Sequence, residues 1–139
     1  MNTIQPNKFL RGALLADAVV SGAVALLQLA LTGLLVDLLR LPSPLLLGTG
    51  AFLVAYVALL LVLARSARVW TPLIWIVVMG NVAWALACIW LVSGAAVKPS
   101  PLGVAFVGVQ AVAVLIFAAL EYKGLVESAR GSRMELVRA

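Results

Sequence analysis

The stretch "GALLADAVVSGAVALLQLALTGLLV" fills residues 12–36, and its reading decides the fold. An α-helix needs about 20 apolar residues to cross a bilayer core of about 30 Å. This stretch exceeds that length, and a single carboxylate, Asp17, interrupts it. Residues 45–64, 69–92 and 102–120 repeat the pattern. Little of the 139-residue chain is left for anything else. The composition agrees, with 65% hydrophobic residues, 11% charged residues and a mean hydropathy of +1.18. A soluble domain carries about twice that charge. The sequence therefore predicts an all-α, polytopic membrane protein. Residues 1–122 form a domain of four transmembrane helices in an up-down-up-down bundle, and 123–139 form a short basic cytoplasmic tail, solvated and frayed.

The first span carries Lys8 and Arg11 before it and "AVA" at 23–25 within it. Those are features of a secretory signal. The apolar run continues to Val36 and contains Asp17, so the segment is expected to be retained as a span.

Four spans put both ends of the domain on one side. That side collects Lys8, Arg11, Arg65, Arg68, Lys123, Arg130, Arg133 and Arg138, against Arg40 and Lys98 on the other. Cytoplasmic loops hold the excess of basic residues, so both termini are expected in the cytoplasm. The net charge of +5 reads as a topology signal. No groove of interleaved aromatic and basic residues points to nucleic acid.

Cys88 is the only cysteine and the chain has no histidine. An intrachain disulfide, bis-histidine haem, His-based metal sites and Ser-His-Asp or Cys-His catalysis are excluded within one chain. No glycine-rich phosphate loop is present. No catalytic residue, cofactor or metal ligand is expected.

Helix starts are marked by [ST]-P. Ser43-Pro44, Thr71-Pro72 and Ser100-Pro101 each offer a side-chain oxygen for an orphan N–H, followed by a proline that gives up a donor with no partner. Pro42 and Pro99 disfavour helix in the residues before them. The tetrapeptide Pro-Ser-Pro-Leu thus occurs twice, 57 residues apart. The polar residues of the two halves do not correspond at that offset, so the repeat reads as capping chemistry.

At about 100° per residue, Asp17, Ser21, Gln28 and Thr32 fall within about 60° of arc on span one. Trp70, Asn81, Trp84 and Cys88 share a face of span three. Gly103, Phe106, Gln110, Phe117 and Glu121 share one on span four. Polar groups in hydrocarbon turn toward the bundle interior, so these faces predict a polar seam. Asp17 is expected about 7–8 Å from the cytoplasmic end of its span, and Glu121 at the cytoplasmic mouth. Asn81 and Gln110 are expected at mid-membrane, with Gln28 in the outer half. An intramembrane carboxylate is by default a candidate functional residue. Arg65, Arg68 or Lys123 could reach Asp17 by snorkelling and form an ion pair.

Three segments, "LADAVVSGAVALL" (15–27), "GNVAW" (80–84) and "GVAFVGVQAVAVLIFAALEYKGL" (103–125), resemble a group of small bacterial integral membrane proteins with no established activity. That resemblance covers nearly the whole chain and implies four spans and a bacterial inner membrane. In outline the chain also resembles the small multidrug resistance transporters, with Asp17 where they carry a membrane carboxylate. It departs from them in using aspartate for glutamate, in its length and in its strong charge bias.

Two functions follow. One is an accessory, assembly or structural subunit, either in a larger membrane complex or as a homo-oligomer in the lipid bilayer. The other is a small oligomeric transporter or channel for a cation, a proton-coupled solute or a lipophilic solute. Its path would start at Asp17 and pass Asn81 and Gln110.

Overall fold

A computed structural model describes residues 2–94 and 96–138. The described chain is almost entirely helical. In order it forms β1 (Thr3–Ile4), α1 (Lys8–Ala30), α2 (Thr32–Leu39), α3 (Ser43–Arg65), β2 (Val69–Trp70), α4 (Thr71–Val92) and α5 (Pro101–Arg138). Four of these, α1, α3, α4 and α5, are long and apolar enough to cross a membrane.

Helix α1 begins earlier than the apolar run suggests. The Asn7 side chain accepts from the Leu10 N–H at 2.7 Å, which satisfies one of the orphan donors of the first turn. Span one is also broken, where a single helix was expected over 12–36. Leu31 leaves helical geometry at φ −117° and ψ 27°. The Thr32 hydroxyl donates to the Gln28 carbonyl at 2.6 Å, the kind of back-bonding that bends helices. The chain restarts as α2 and stops at Arg40, whose φ of 54° is left-handed.

Of the three [ST]-P starts, only Ser100 caps. Its Oγ accepts the Gly103 N–H at 3.0 Å and donates to Leu38 O at 2.6 Å. At α3 the cap position is Pro42 and at α4 it is Trp70, neither with a side-chain cap bond. Ser43 and Thr71 lie one residue too far into their helices to reach back.

Two features were not expected. A two-residue antiparallel ribbon pairs Thr3 with Trp70 and Ile4 with Val69, and Asn2 O accepts the Thr71 N–H at 2.7 Å. The segment read as a frayed tail continues α5 without a break to Arg138; its last residue, Ala139, lies outside the described residues. The Ser128 hydroxyl is buried, accepts the Asn7 N–H at 3.0 Å and donates to Gly124 O at 2.7 Å.

Helix α1 packs along α3, α4 packs along α5, and α1 crosses α5. A Cβ on Gly124 would stand 2.8 Å from Leu10 Cα, and one on Gly103 would collide with Leu39 O. Only glycine permits these two close approaches. One apolar core, around Leu10, Leu14, Leu60, Ile74 and Val77, lies near the termini. The other, around Leu39, Leu46 and Val107, lies near the proline loops. The outer faces carry exposed Val19, Leu26, Phe52, Ile76 and Val109. Polar groups inside and apolar ones outside are what a hydrocarbon solvent selects.

Candidate functional site

The first helices to meet at a polar point do so through Asp17. It is fully buried, nine residues into α1, or about 13 Å along the axis. Its Oδ1 accepts the Ser21 hydroxyl, one turn further on, at 2.7 Å. Its Oδ2 accepts the Tyr56 hydroxyl of α3 at 2.9 Å and the Asn81 amide of α4 at 3.0 Å. The same Asn81 Nδ2 donates to Glu121 Oε2 of α5, also at 3.0 Å. One amide therefore spends both of its hydrogens on two carboxyl groups, and all four spans are joined.

Glu121 is fully buried as well. Its Oε1 has no hydrogen-bond partner among the described residues. Every partner found for the two carboxyl groups is a neutral side chain.

Four of the seven seam residues predicted from sequence, Asp17, Ser21, Asn81 and Glu121, come together here. Glu121 lies 20 residues into α5, about 30 Å from its start, and α5 runs on beyond it. The other three are elsewhere. Gln28 is buried and its Oε1 accepts the Thr49 hydroxyl at 3.0 Å. Thr32, the first residue of α2, turns back to the last turn of α1, and Gln110 is half-buried on α5.

The predicted ion-pair partners do not pair with Asp17. Arg65, Arg68 and Lys123 are exposed, and Lys123 Nζ lies 5.0 Å from the centre of the Phe9 ring. The cation that enters the bundle is Arg11. It donates to Ala64 O at 2.7 Å and Ser66 O at 2.8 Å, at the C-terminal end of α3, and to Pro6 O at 3.1 Å. Unpaired carbonyls at a helix end attract a cation.

Tyr56 was missed by sequence reasoning. The signal was present, since it is the only residue with a polar tip between Ala51 and Ala64. A tyrosine inside an apolar helix needs a partner for its hydroxyl.

Beside this centre, α3 and α4 stand apart and leave a cavity of about 630 Å³. Ser21, Tyr56 and Asn81 form part of its wall, with Phe52, Trp84 and Phe117. Phe52 stacks on Tyr56 with ring centres 6.4 Å apart and on Trp84 at 5.8 Å. A smaller cavity of about 160 Å³ lies toward the proline loops, beside Gln28, Thr49 and Cys88. Trp84, Ala87 and Gln110 line both. No protein-family model matches this chain, nor does any curated protein or solved structure.

Proposed function

We propose that this chain is a multi-pass protein of the bacterial inner membrane, with four spans running up-down-up-down and both termini in the cytoplasm. In this reading it is a small transporter or channel, not an enzyme, and Asp17 and Glu121 are its charge-handling centre. The charge bias of the loops supports the orientation.

The observation that carries the function is two fully buried carboxyl groups held by one amide, with only neutral partners. Two charges in a low-dielectric interior need compensation. No lysine or arginine among the described residues supplies it, so a proton or a bound cation must. A centre that requires an exchangeable counter-charge is suited to proton or cation transfer, and the adjoining cavities extend from it toward the proline loops.

Infrared spectroscopy of the full chain in lipid tests this. A protonated-carboxyl stretch is expected that shifts in D₂O, changes with pH and is lost in Glu121→Gln. A spectrum with no protonated carboxyl at neutral pH, where exposed carboxyls such as Asp37 and Glu127 are ionised, would sink the proton reading. Asp17→Asn provides a second variant if Glu121→Gln does not fold.

A structural or assembly role is the second reading. It is favoured by the pairing of both Asp17 oxygens within one chain, which is what a clamp requires. Under that role Asp17→Asn would leave proton exchange unchanged and alter only the proteins that copurify from native membranes.

A further inference from the structure

We infer that the part of α5 beyond the membrane, residues 123–138, is a docking post for an acidic, amphipathic helix of a soluble protein. This rests on the placement of the four spans proposed above and makes no use of the Asp17–Glu121 centre.

Length is the first argument. Helix α5 has 38 residues, about 57 Å at 1.5 Å per residue, against a hydrocarbon core of about 30 Å. Trp75 and Tyr122 are exposed side by side, with ring centres 5.7 Å apart. Such rings collect at the headgroup level, which puts the water boundary near residue 122. Residues 123–138 then project about 24 Å past it. The helix is unbroken, so the extension keeps the direction of the span and leaves the bilayer instead of lying on it.

The post is also braced. Gly124 packs against the backbone of Leu10, and Leu125 and Ser128 are buried. Ser128 Oγ accepts the Asn7 N–H at 3.0 Å, and one turn on Ser132 Oγ accepts the Gln5 N–H at 3.4 Å. The same N-terminal segment is tied to the start of α4 through β1 and β2. A basic excess can set topology without any ordered structure, so topology does not account for this brace. A rigid helix loses less freedom on binding than a frayed tail would.

The face turned away from the brace supplies the chemistry. At about 100° per residue, Val126, Arg130, Arg133 and Val137 fall within about 60° of arc, with Lys123 and Met134 alongside. Arg130, Arg133, Met134 and Val137 are exposed. Residues 123–138 carry four basic residues against two acidic ones, and Glu127 accepts from the Asn7 side chain at 3.4 Å. Apolar and basic groups at helical spacing match a second helix with apolar and acidic groups at the same spacing. Anionic lipid is the other candidate for this charge, but Arg130 and Arg133 stand about 12 and 16 Å past Tyr122. Both distances exceed a Debye length of about 8 Å at physiological salt.

The test uses the full chain in phosphatidylcholine nanodiscs and a fluorescein-labelled helical peptide with glutamates and leucines on one face, read by fluorescence anisotropy. A peptide with lysine for glutamate is the control. The acidic peptide is expected to bind at least about tenfold more tightly, and to weaken by about tenfold in the double variant Arg130→Glu, Arg133→Glu. Arg65→Glu with Arg68→Glu reverses as much charge at the end of α3 and in the loop after it. That pair is expected to change binding by less than about threefold. Equal binding of the two peptides, or equal losses from the two double variants, overturns the docking face. A spin label on Met134→Cys, in a chain carrying Cys88→Ala, is expected to stay accessible to a water-soluble nickel relaxant in both phosphatidylcholine and phosphatidylglycerol vesicles. Immersion of the label in phosphatidylglycerol alone overturns the inference and assigns the face to the anionic leaflet. Immersion in both lipids removes the span placement itself. A water-exposed label without peptide binding removes the docking face and leaves the spans standing.

Discussion

At the level of Asp17, four helices are joined by side chains that reach one another: a serine, a tyrosine, an asparagine and two acids. At the level of Leu39 the joins run mostly to the backbone. There the Ser100 N–H donates to Leu39 O at 2.9 Å and its hydroxyl to Leu38 O. Gly103 lets the two helices touch. The proline end thus closes the bundle with groups that every helix terminus must satisfy anyway, and it needs no ionisable residue. The Asp17 end spends two carboxyl groups on a task that apolar packing commonly performs as well. The acids are therefore poorly explained by stability, which is why function is argued from them.

Packing should not distinguish the two ends, and the largest expected effect tests that. Gly124→Val and Gly103→Val each drive a side chain into backbone, at Leu10 and Leu39. Each is expected to cost about 3 kcal/mol, the upper range for overpacking, read as a lower midpoint in SDS titration of mixed micelles. Gly108, whose Cβ would meet nothing, is the control. Gly108→Ala is expected to leave stability unchanged or raise it by up to about 1 kcal/mol through helix propensity. A large loss from Gly124→Val alone would mean that α1 and α5 are locked at the termini and loose at the prolines.

Chemistry should distinguish the ends. Asn81→Leu strips both carboxyl groups of their shared donor and is expected to cost about 2 kcal/mol. Replacing the acids as well, in the triple variant Asp17→Leu, Asn81→Leu, Glu121→Met, is expected to recover most of that loss. Removing a whole buried polar group set is often neutral, whereas removing one member is not. A triple variant no more stable than Asn81→Leu would show that the network holds the bundle together, and would move the acids from function to architecture.

The four apolar helices, and the inward turn of Asp17, Ser21, Asn81, Cys88 and Glu121, were legible in the sequence because hydrocarbon selects both. Trp70, read on the inward face of span three, is instead exposed in β2. The meeting of the polar groups was not legible. The end of α5 was read near Leu120 because the apolar run stops there. Composition marks where hydrocarbon could end and not where a helix does, and no proline stops α5 from continuing to Arg138. Snorkelling partners for Asp17 were inferred from reach. That argument counts charges and overlooks neutral donors, of which Tyr56 was hidden among leucines and valines. The break at Leu31 depended on a hydroxyl choosing its own backbone, a local competition that periodicity does not register.

The smallest effects concern the repeated Pro-Ser-Pro-Leu, whose two copies lie at the same end of the bundle. Ser100→Ala removes a cap and an interhelical bond to Leu38 O. Loss of a serine cap typically costs about 1 kcal/mol, and that is the drop expected in the same titration. Ser43 sits in the same tetrapeptide but is the first residue of α3, after a cap position filled by Pro42 with no side-chain cap bond. Ser43→Ala is therefore expected to change stability by less than about 0.5 kcal/mol, as for a site with no special contact. The difference lies in where the helix begins, one residue earlier relative to the motif at α3 than at α5. That shift turns the serine from a cap into an ordinary first-turn residue. Equal losses from the two alanines would mean that α3 starts at Pro44 in the membrane, with Ser43 restored to the cap.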